Sequence, residues 1–379
     1  MIIRTMATSP FLPSGFEYRR MDVDGVTINF AVAGSGPPLL LLHGYPQNHL
    51  MWRHVAPVLA RDHTVVLADL RGYGDSGKPA PDDAGRVYSK RSMARDQVGL
   101  MRQLGFGPFQ LVGHDRGARV SHRLVLDHPG AVTRLAVLDI VPTRHVLHNV
   151  TRAMATAYYH WFFLPVGNGV PEHLIGADPA YWIRSLIGPL LGKGASIEPA
   201  VMDDYIRCFS DPGTIVASCA DYRSAASIDL DHDDETFAAG QKVECPVQVL
   251  WGTQGFVGRG YEPLSVWQEY ATDVRGEALP TGHFLPEEAP DLVISAPAGL
   301  PRLAEYLAEQ PVEEEISRAS SQDVNGICQR AHHRSLTRQP RYLRRCHDVV
   351  TREGVNVCLV RRERETPRQA VWCLRRPYS

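Results

Sequence analysis

The chain has 379 residues, of which 44% are hydrophobic and 22% charged, and a formal net charge of -2 at pH 7. This is the composition of an ordinary soluble globular protein, and it argues against nucleic-acid binding through bulk positive charge. No segment approaches the roughly 18 consecutive apolar residues that span a bilayer, so a membrane partner is not expected.

Residues 1–20 read as an N-terminal extension. From Met21 to Gly34, apolar residues alternate around Asp24-Gly25, the pattern of a β-hairpin. Pro38 to Leu42 and Thr64 to Ala68 read as buried strands, and Ser89 to Leu104 as a helix. The apolar run Phe109 to Val112 enters Gly113-His114-Asp115-Arg116-Gly117; a helix then covers Gly117 to His128 and a short strand Leu135 to Leu138. This β/α alternation predicts a mostly parallel central sheet flanked by helices. The alternation lapses between about Arg144 and Ala239, where helical and aromatic segments carry no clear strand. It resumes with strands at Val247 to Trp251 and Arg275 to Leu279, a loop holding His283, and a helix from Ala289 to Glu309. The expected organisation is a core over 21–143 and 240–310 with an inserted helical cap at 144–239. Beyond Pro311, arginines crowd in from Arg330 to Arg376, whereas the last lysine is Lys242. The segment 311–379 reads as a disordered tail, the alternative being a basic arm for RNA or an acidic partner. The seven cysteines form no C-x-x-C pair, which fits free thiols and a cytoplasmic location.

The strand, the glycine-pinched turn and the helix around Asp115 have the layout of the nucleophile elbow of α/β-hydrolases, G-x-S-x-G, with an aspartate in place of serine. A serine must lose a proton before it attacks, whereas a carboxylate with a pKa of roughly 3.9 is already ionised at neutral pH. Attack by a carboxylate on a saturated carbon gives an alkyl ester that water can cleave; attack on an ester or amide would give a mixed anhydride. The elbow therefore points to dehalogenation or epoxide opening rather than to an esterase.

Cleavage of such an ester needs a base late in the chain, and His283 in Pro280-Thr281-Gly282-His283-Phe284 occupies that place. The acid that orients it can follow either of two strands. None stands between Val247–Trp251 and Glu262, so Asp139 in Leu138-Asp139-Ile140-Val141-Pro142 is the candidate; a capping role for it stays open. The turn His43-Gly44-Tyr45-Pro46 predicts backbone N–H donors from Tyr45 and Arg116 for the oxyanion of ester hydrolysis. Arg116 and Arg119, one and four residues past the nucleophile, can hold a substrate carboxylate in bidentate fashion, or else form surface ion pairs.

These stretches, with Asp69-Leu70-Arg71-Gly72-Tyr73-Gly74, His160-Trp161-Phe162-Phe163 and Asp221-Tyr222-Arg223, together resemble the haloacetate dehalogenases, the fluoroacetate dehalogenase group, from about Met21 to Leu307. The resemblance implies an α/β-hydrolase fold. It assigns Asp115 as nucleophile, Asp139 as acid, His283 as base, Arg116 and Arg119 as carboxylate ligands, and His160, Trp161 and Tyr222 as halide ligands. It also implies a homodimer. The chain departs from the pattern at Ala118 and Thr281, where glycines are usual, and at Ile187-Gly188-Pro189-Leu190, which lacks a tryptophan.

The expected reaction converts a 2-haloacetate to glycolate and halide with no cofactor and no metal. Tyr158, Tyr159, Phe162 and Phe163 are read as packing residues of the cap. An epoxide hydrolase would share Asp115, Asp139 and His283 and would need two cap tyrosines, Tyr222 with Tyr158 or Tyr159; a neutral epoxide gives Arg116 no partner. A non-catalytic small-molecule receptor on the same fold is the remaining alternative.

Overall fold

The computed structural model describes residues 15–296 and the backbone of the strands Arg4–Thr5, Cys346–Val350, Asn356–Val360 and Val371–Arg375. The chain divides into two compact units, Met1–Leu303 and Ala304–Ser379.

The first unit is built on nine strands: β1 (Arg4–Thr5), β2 (Glu17–Val23), β3 (Val26–Ala33), β4 (Pro38–Leu42), β5 (Thr64–Ala68), β6 (Phe109–His114), β7 (Val132–Leu138), β8 (Val247–Gly252) and β9 (Val274–Leu279). They form one sheet in the order β1-β2-β3-β5-β4-β6-β7-β8-β9. Pairing is antiparallel from β1 through β3 to β5 and parallel from there to β9. The β2–β3 hairpin turns at Asp24 and Gly25, both at positive φ, as an Asp-Gly two-residue turn requires. Its first strand begins at Glu17, so part of the expected N-terminal extension belongs to the sheet. The parallel strands read as continuous apolar runs because helices cover both faces: Leu39 to Leu42 are all fully buried.

Register decides where chemistry can occur. Leu42 pairs with Gly113, His114 with Leu138, Leu138 with Leu250, and Gly252 with Leu279. The strands therefore end at one level, and the residues that follow them, His43, Asp115, Asp139 and the loop to His283, leave the sheet along one edge. This is where open parallel sheets bind ligands.

The helix after β6 begins at Arg116, one residue earlier than expected, and runs to Asp127. Eight helices stand between β7 and β8: Thr143–His148, Arg152–Ala157, His160–Phe163, Val170–Ala177, Pro179–Leu190, Pro199–Phe209, Pro212–Ala225 and Ile228–Ala238. Two short helices, Leu285–Glu288 and Pro290–Ser295, follow His283 where one long helix was expected; the part of that expectation beyond 296 lies outside the described residues. In the second unit, Cys346–Val350, Asn356–Val360 and Val371–Arg375 pair as a three-stranded antiparallel sheet. The rest of the arginine-rich segment lies outside the described residues. No helix among the described residues is long and apolar enough to cross a membrane.

The elbow is tight enough to demand its glycines. A Cβ on Gly117 would lie 2.5 Å from the carbonyl oxygens of both Leu42 and His43, and one on Gly113 would lie 2.6 Å from the Ala118 backbone. In both cases the obstacle is main chain, which cannot rotate away. Gly117→Ala is therefore expected to destabilise the fold by at least about 1–3 kcal/mol, the cost of overpacking a close-packed interior, read as a lower midpoint in thermal or urea unfolding.

Candidate active site

Asp115 sits at the turn of the elbow with φ 45 and ψ -113, a strained conformation for a residue with a side chain. The strain lifts its carboxylate off the end of β6. Oδ2 accepts the Tyr45 N–H at 3.0 Å, so one carboxylate oxygen is held by the turn after β4. The second expected donor, the Arg116 amide, makes no bond to this carboxylate among the described residues. Burial by itself would raise the Asp115 pKa. The surrounding charges of His283, His114, Arg119 and Arg116 outweigh it and hold the carboxyl at about 2.

Asp139, also at positive φ, follows β7. Its Oδ1 accepts the Gly252 N–H at 2.9 Å and its Oδ2 lies 2.6 Å from His283 Nδ1. An ionised Asp139 makes Nδ1 the protonated nitrogen and leaves Nε2 as the basic one. Burial opposes a charge on the His283 ring, but the hydrogen bond and charge of Asp139, with Asp115 nearby, raise its pKa above the ordinary imidazole value. The His283 main chain is tied in turn to the inserted helices. Its N–H donates to the Leu190 carbonyl at 2.8 Å, and Glu288 Oε2 accepts N–H groups from both Gly192 and Gly282.

Asp115, Asp139, His283, Arg119, Tyr45, His160 and Trp161 line one cavity of about 420 Å³, walled also by Tyr158, Leu186 and Leu190. Arg116 and Tyr222 stand immediately behind it. The Arg116 guanidinium lies 4.1 Å from the Tyr222 ring centroid, and the Tyr222 ring lies 6.0 Å from Trp161 and 5.7 Å from His160. Arg119 stacks on Trp161 at 4.5 Å. Burial depresses the His160 pKa to about 3, so its ring is neutral at working pH.

The two arginines differ in a way the sequence does not disclose. Arg116 is fully buried and grips Asp221 with Nε at 2.9 Å and Nη2 at 2.6 Å, which leaves Nη1 without a partner. Arg119 has no carboxylate partner among the described residues. Its Nη1 donates to the Val141 carbonyl and Thr143 Oγ1, both at 3.0 Å, and its Nε is buried and unpartnered. The Tyr222 hydroxyl, the Tyr158 hydroxyl and His160 Nδ1 are likewise buried without a hydrogen-bond partner. Buried polar atoms are ordinarily satisfied, so a cluster of unused donors around one carboxylate marks a place built to receive an electron-rich ligand. Among the described residues no group of three or more His, Cys, Asp or Glu side chains could hold a metal ion.

Asp221 has no role in the sequence reading beyond its place beside Tyr222. It also receives Lys90 Nζ and, at 2.6 Å, the Tyr73 hydroxyl; Lys90 is 3.7 Å from Asp229 as well. Trp182, equally unforeseen, donates its Nε1–H to the Tyr45 hydroxyl at 2.7 Å. Lys90 and Tyr73 come from the core and Asp221 from the helix Pro212–Ala225, and no sequence period links positions so far apart. A completely buried pair broken from one side leaves uncompensated charge, so Asp221→Asn is expected to cost about 3–5 kcal/mol in urea unfolding, far more than any surface Asp→Asn exchange.

The α/beta hydrolase fold family model matches residues 37–290. A fluoroacetate dehalogenase from Burkholderia sp is 49% identical over 285 residues, which cover 73% of this chain and 91% of that protein. A soluble epoxide hydrolase from Corynebacterium sp. (strain C12) is 35% identical, with 72% of this chain and 92% of the relative covered. The solved structure of a Nostoc sp PCC 7120 protein assigned to the α/β hydrolases superposes with a TM-score of 0.72 at 52% identity, covering 74% of this chain and 96% of that one. The chain thus belongs to the α/β-hydrolase fold family and, within it, to the haloacetate dehalogenase family.

Proposed function

We propose that this protein hydrolyses 2-haloacetates, fluoroacetate and chloroacetate among them, to glycolate and halide through an ester on Asp115. The observation that carries the reading is the juxtaposition of an ionised Asp115 with guanidinium N–H groups on Arg116 and Arg119 that nothing else in the protein occupies. Arg119, with no carboxylate of its own, supplies the charge that a substrate carboxylate answers; Arg116, neutralised by Asp221, adds its Nη1 donor.

With Oδ2 held by Tyr45, Oδ1 is the oxygen that attacks. It displaces halide from the carbon next to the carboxylate, and the neutral His160 imidazole, the Trp161 indole and the Tyr222 hydroxyl meet the negative charge as it develops on the halogen. His283 then takes a proton from water, whose oxygen adds to the Asp115 ester carbonyl. That carbonyl oxygen is Oδ2, so the Tyr45 N–H is already in place for the oxyanion, and the Arg116 amide serves as the second donor. The His283 proton passes to the leaving glycolate oxygen. The free thiols Cys208, Cys219 and Cys245 support a cytoplasmic location, and we infer a homodimer with no nucleic-acid or membrane partner.

A halide-release assay on fluoroacetate beside chloroacetate tests the reading. Asp115→Ala is expected to abolish release, and His283→Gln to accumulate the aspartyl ester, seen as a mass increase on the elbow peptide; failure of either rejects the two-step scheme. Arg119→Gln is expected to raise KM by about 10-fold or more, the loss of a charged hydrogen bond of roughly 1.5–3 kcal/mol.

The pH dependence follows from His283. The ring must be neutral to accept a proton, so ester hydrolysis rises with pH through its pKa, which stands above the ordinary imidazole value. Asp139→Asn removes the bond and the charge that raise it. The limb is expected to move to lower pH while the plateau falls, measured as single-turnover decay of the ester across pH.

A further inference from the structure

The cavity holds more proton donors than halide release requires. Tyr158 lines it, with its ring 5.8 Å from His160 and 6.5 Å from His283, and its buried hydroxyl has no hydrogen-bond partner. The Tyr222 hydroxyl is unpartnered in the same way, and its ring lies 5.7 Å from His160 on an edge-to-face contact. Two unused phenols thus stand against the imidazole that faces the nucleophile's cavity. A halide departs as a weak base and needs only hydrogen bonds. An alkoxide departs as a strong base and needs a proton, which an indole N–H does not yield near neutral pH but a phenol of pKa about 10 does. The leaving oxygen such phenols suit is that of a three-membered cyclic ether, which stays tethered to the carbon beside the one attacked. The charge on Arg119, which no carboxylate of the protein answers, narrows the class further: the ring must carry an anionic group.

We propose that the same site opens oxirane carboxylates, glycidate being the simplest, with Tyr158 as proton donor and Tyr222 as hydrogen-bond donor to the departing ring oxygen. The activity rests on the displacement by Asp115 set out above. Asp115 Oδ1 bonds to the ring carbon bearing the carboxylate while the C–O bond on its far side breaks. The electron pair goes to the ring oxygen, which takes the Tyr158 proton. His283 removes a proton from water, the water oxygen adds to the Asp115 carbonyl, and collapse expels the product oxygen, which takes the proton back from His283. The proton left on the Asp115 carboxyl restores the Tyr158 phenol. The sum is glycidate plus water giving glycerate, with no oxidant or reductant.

The test uses the full chain with glycidate, chloroacetate and the neutral styrene oxide. Glycidate is expected to give glycerate inverted at the attacked carbon. In a single turnover in heavy-oxygen water the label should enter Asp115 and not the product. Styrene oxide, which lacks a carboxylate, should not be consumed. Tyr158→Phe is expected to lower glycidate turnover by about 100-fold or more while changing chloroacetate turnover by less than about threefold, the split that a proton donor specific to the ring oxygen produces. Consumption of chloroacetate without glycidate overturns the second activity and leaves dehalogenation standing. Equal loss on both substrates in Tyr158→Phe overturns the assignment of the proton donor. If neither substrate is consumed, the displacement reading itself fails and takes this one with it.

Discussion

A carboxylate kept charged inside the protein is the constraint from which most of this architecture follows. Asp115 is 7% exposed, and an anion so placed is costly unless donors and positive charges surround it. The Tyr45 amide and the two arginines meet that requirement at the end of β6. The requirement then propagates. Arg116 is itself fully buried and needs Asp221; Asp221 sits between Arg116, Lys90 and the Tyr73 hydroxyl; Lys90 approaches Asp229. Compensation runs from the nucleophile through the sheet edge into the inserted helices, so the same ion pairs that keep Asp115 reactive also fix the helices that wall its cavity.

Within that arrangement the two arginines divide the work. Arg116 and Asp221 are close to electrically neutral as a pair, which makes Arg116 a rigid donor, whereas Arg119 retains a charge that only an anion in the cavity or Asp115 can balance. Selectivity for an anionic substrate therefore resides mainly in one of two residues that look equivalent on paper. His160 illustrates the complementary principle. Desolvation keeps its ring neutral, so it offers an N–H to a developing anion without bringing a charge that would compete for Asp115.

How much of this was legible in the sequence depended on range. The parallel strands announce themselves as short apolar runs because both faces are buried, and β4, β5 and β8 fall where the runs fall. The elbow is legible because strand, glycines and helix are contiguous, and β7 directly precedes Asp139, whose bond to His283 spans 144 positions yet follows from the order of strand ends. What escaped the reading has no local signature. The Lys90–Asp221 pair is a long-range meeting of two polar residues, each sitting in an otherwise ordinary helix. Tyr158 reads as packing because nothing in an aromatic run reveals whether a hydroxyl finds a partner. The start of β2 at Glu17 was missed because Glu17-Tyr18-Arg19-Arg20 is polar on the face that the sheet leaves open.

The backbone stitching between the Leu190–Gly192 and Gly282–His283 segments has an evolutionary consequence. Leu190 forms part of the cavity wall, and its carbonyl anchors the peptide that carries the base. A Cβ on Gly282 would come within 2.4 Å of both that carbonyl oxygen and the Gly192 nitrogen, so neither strand of the seam has slack. Insertions or deletions that would resize the chamber from this side also displace the imidazole, and selection would discard them. Diversification of ligand size in descendants of this chain is thereby channelled into side-chain exchanges at fixed backbone, or toward the opposite wall.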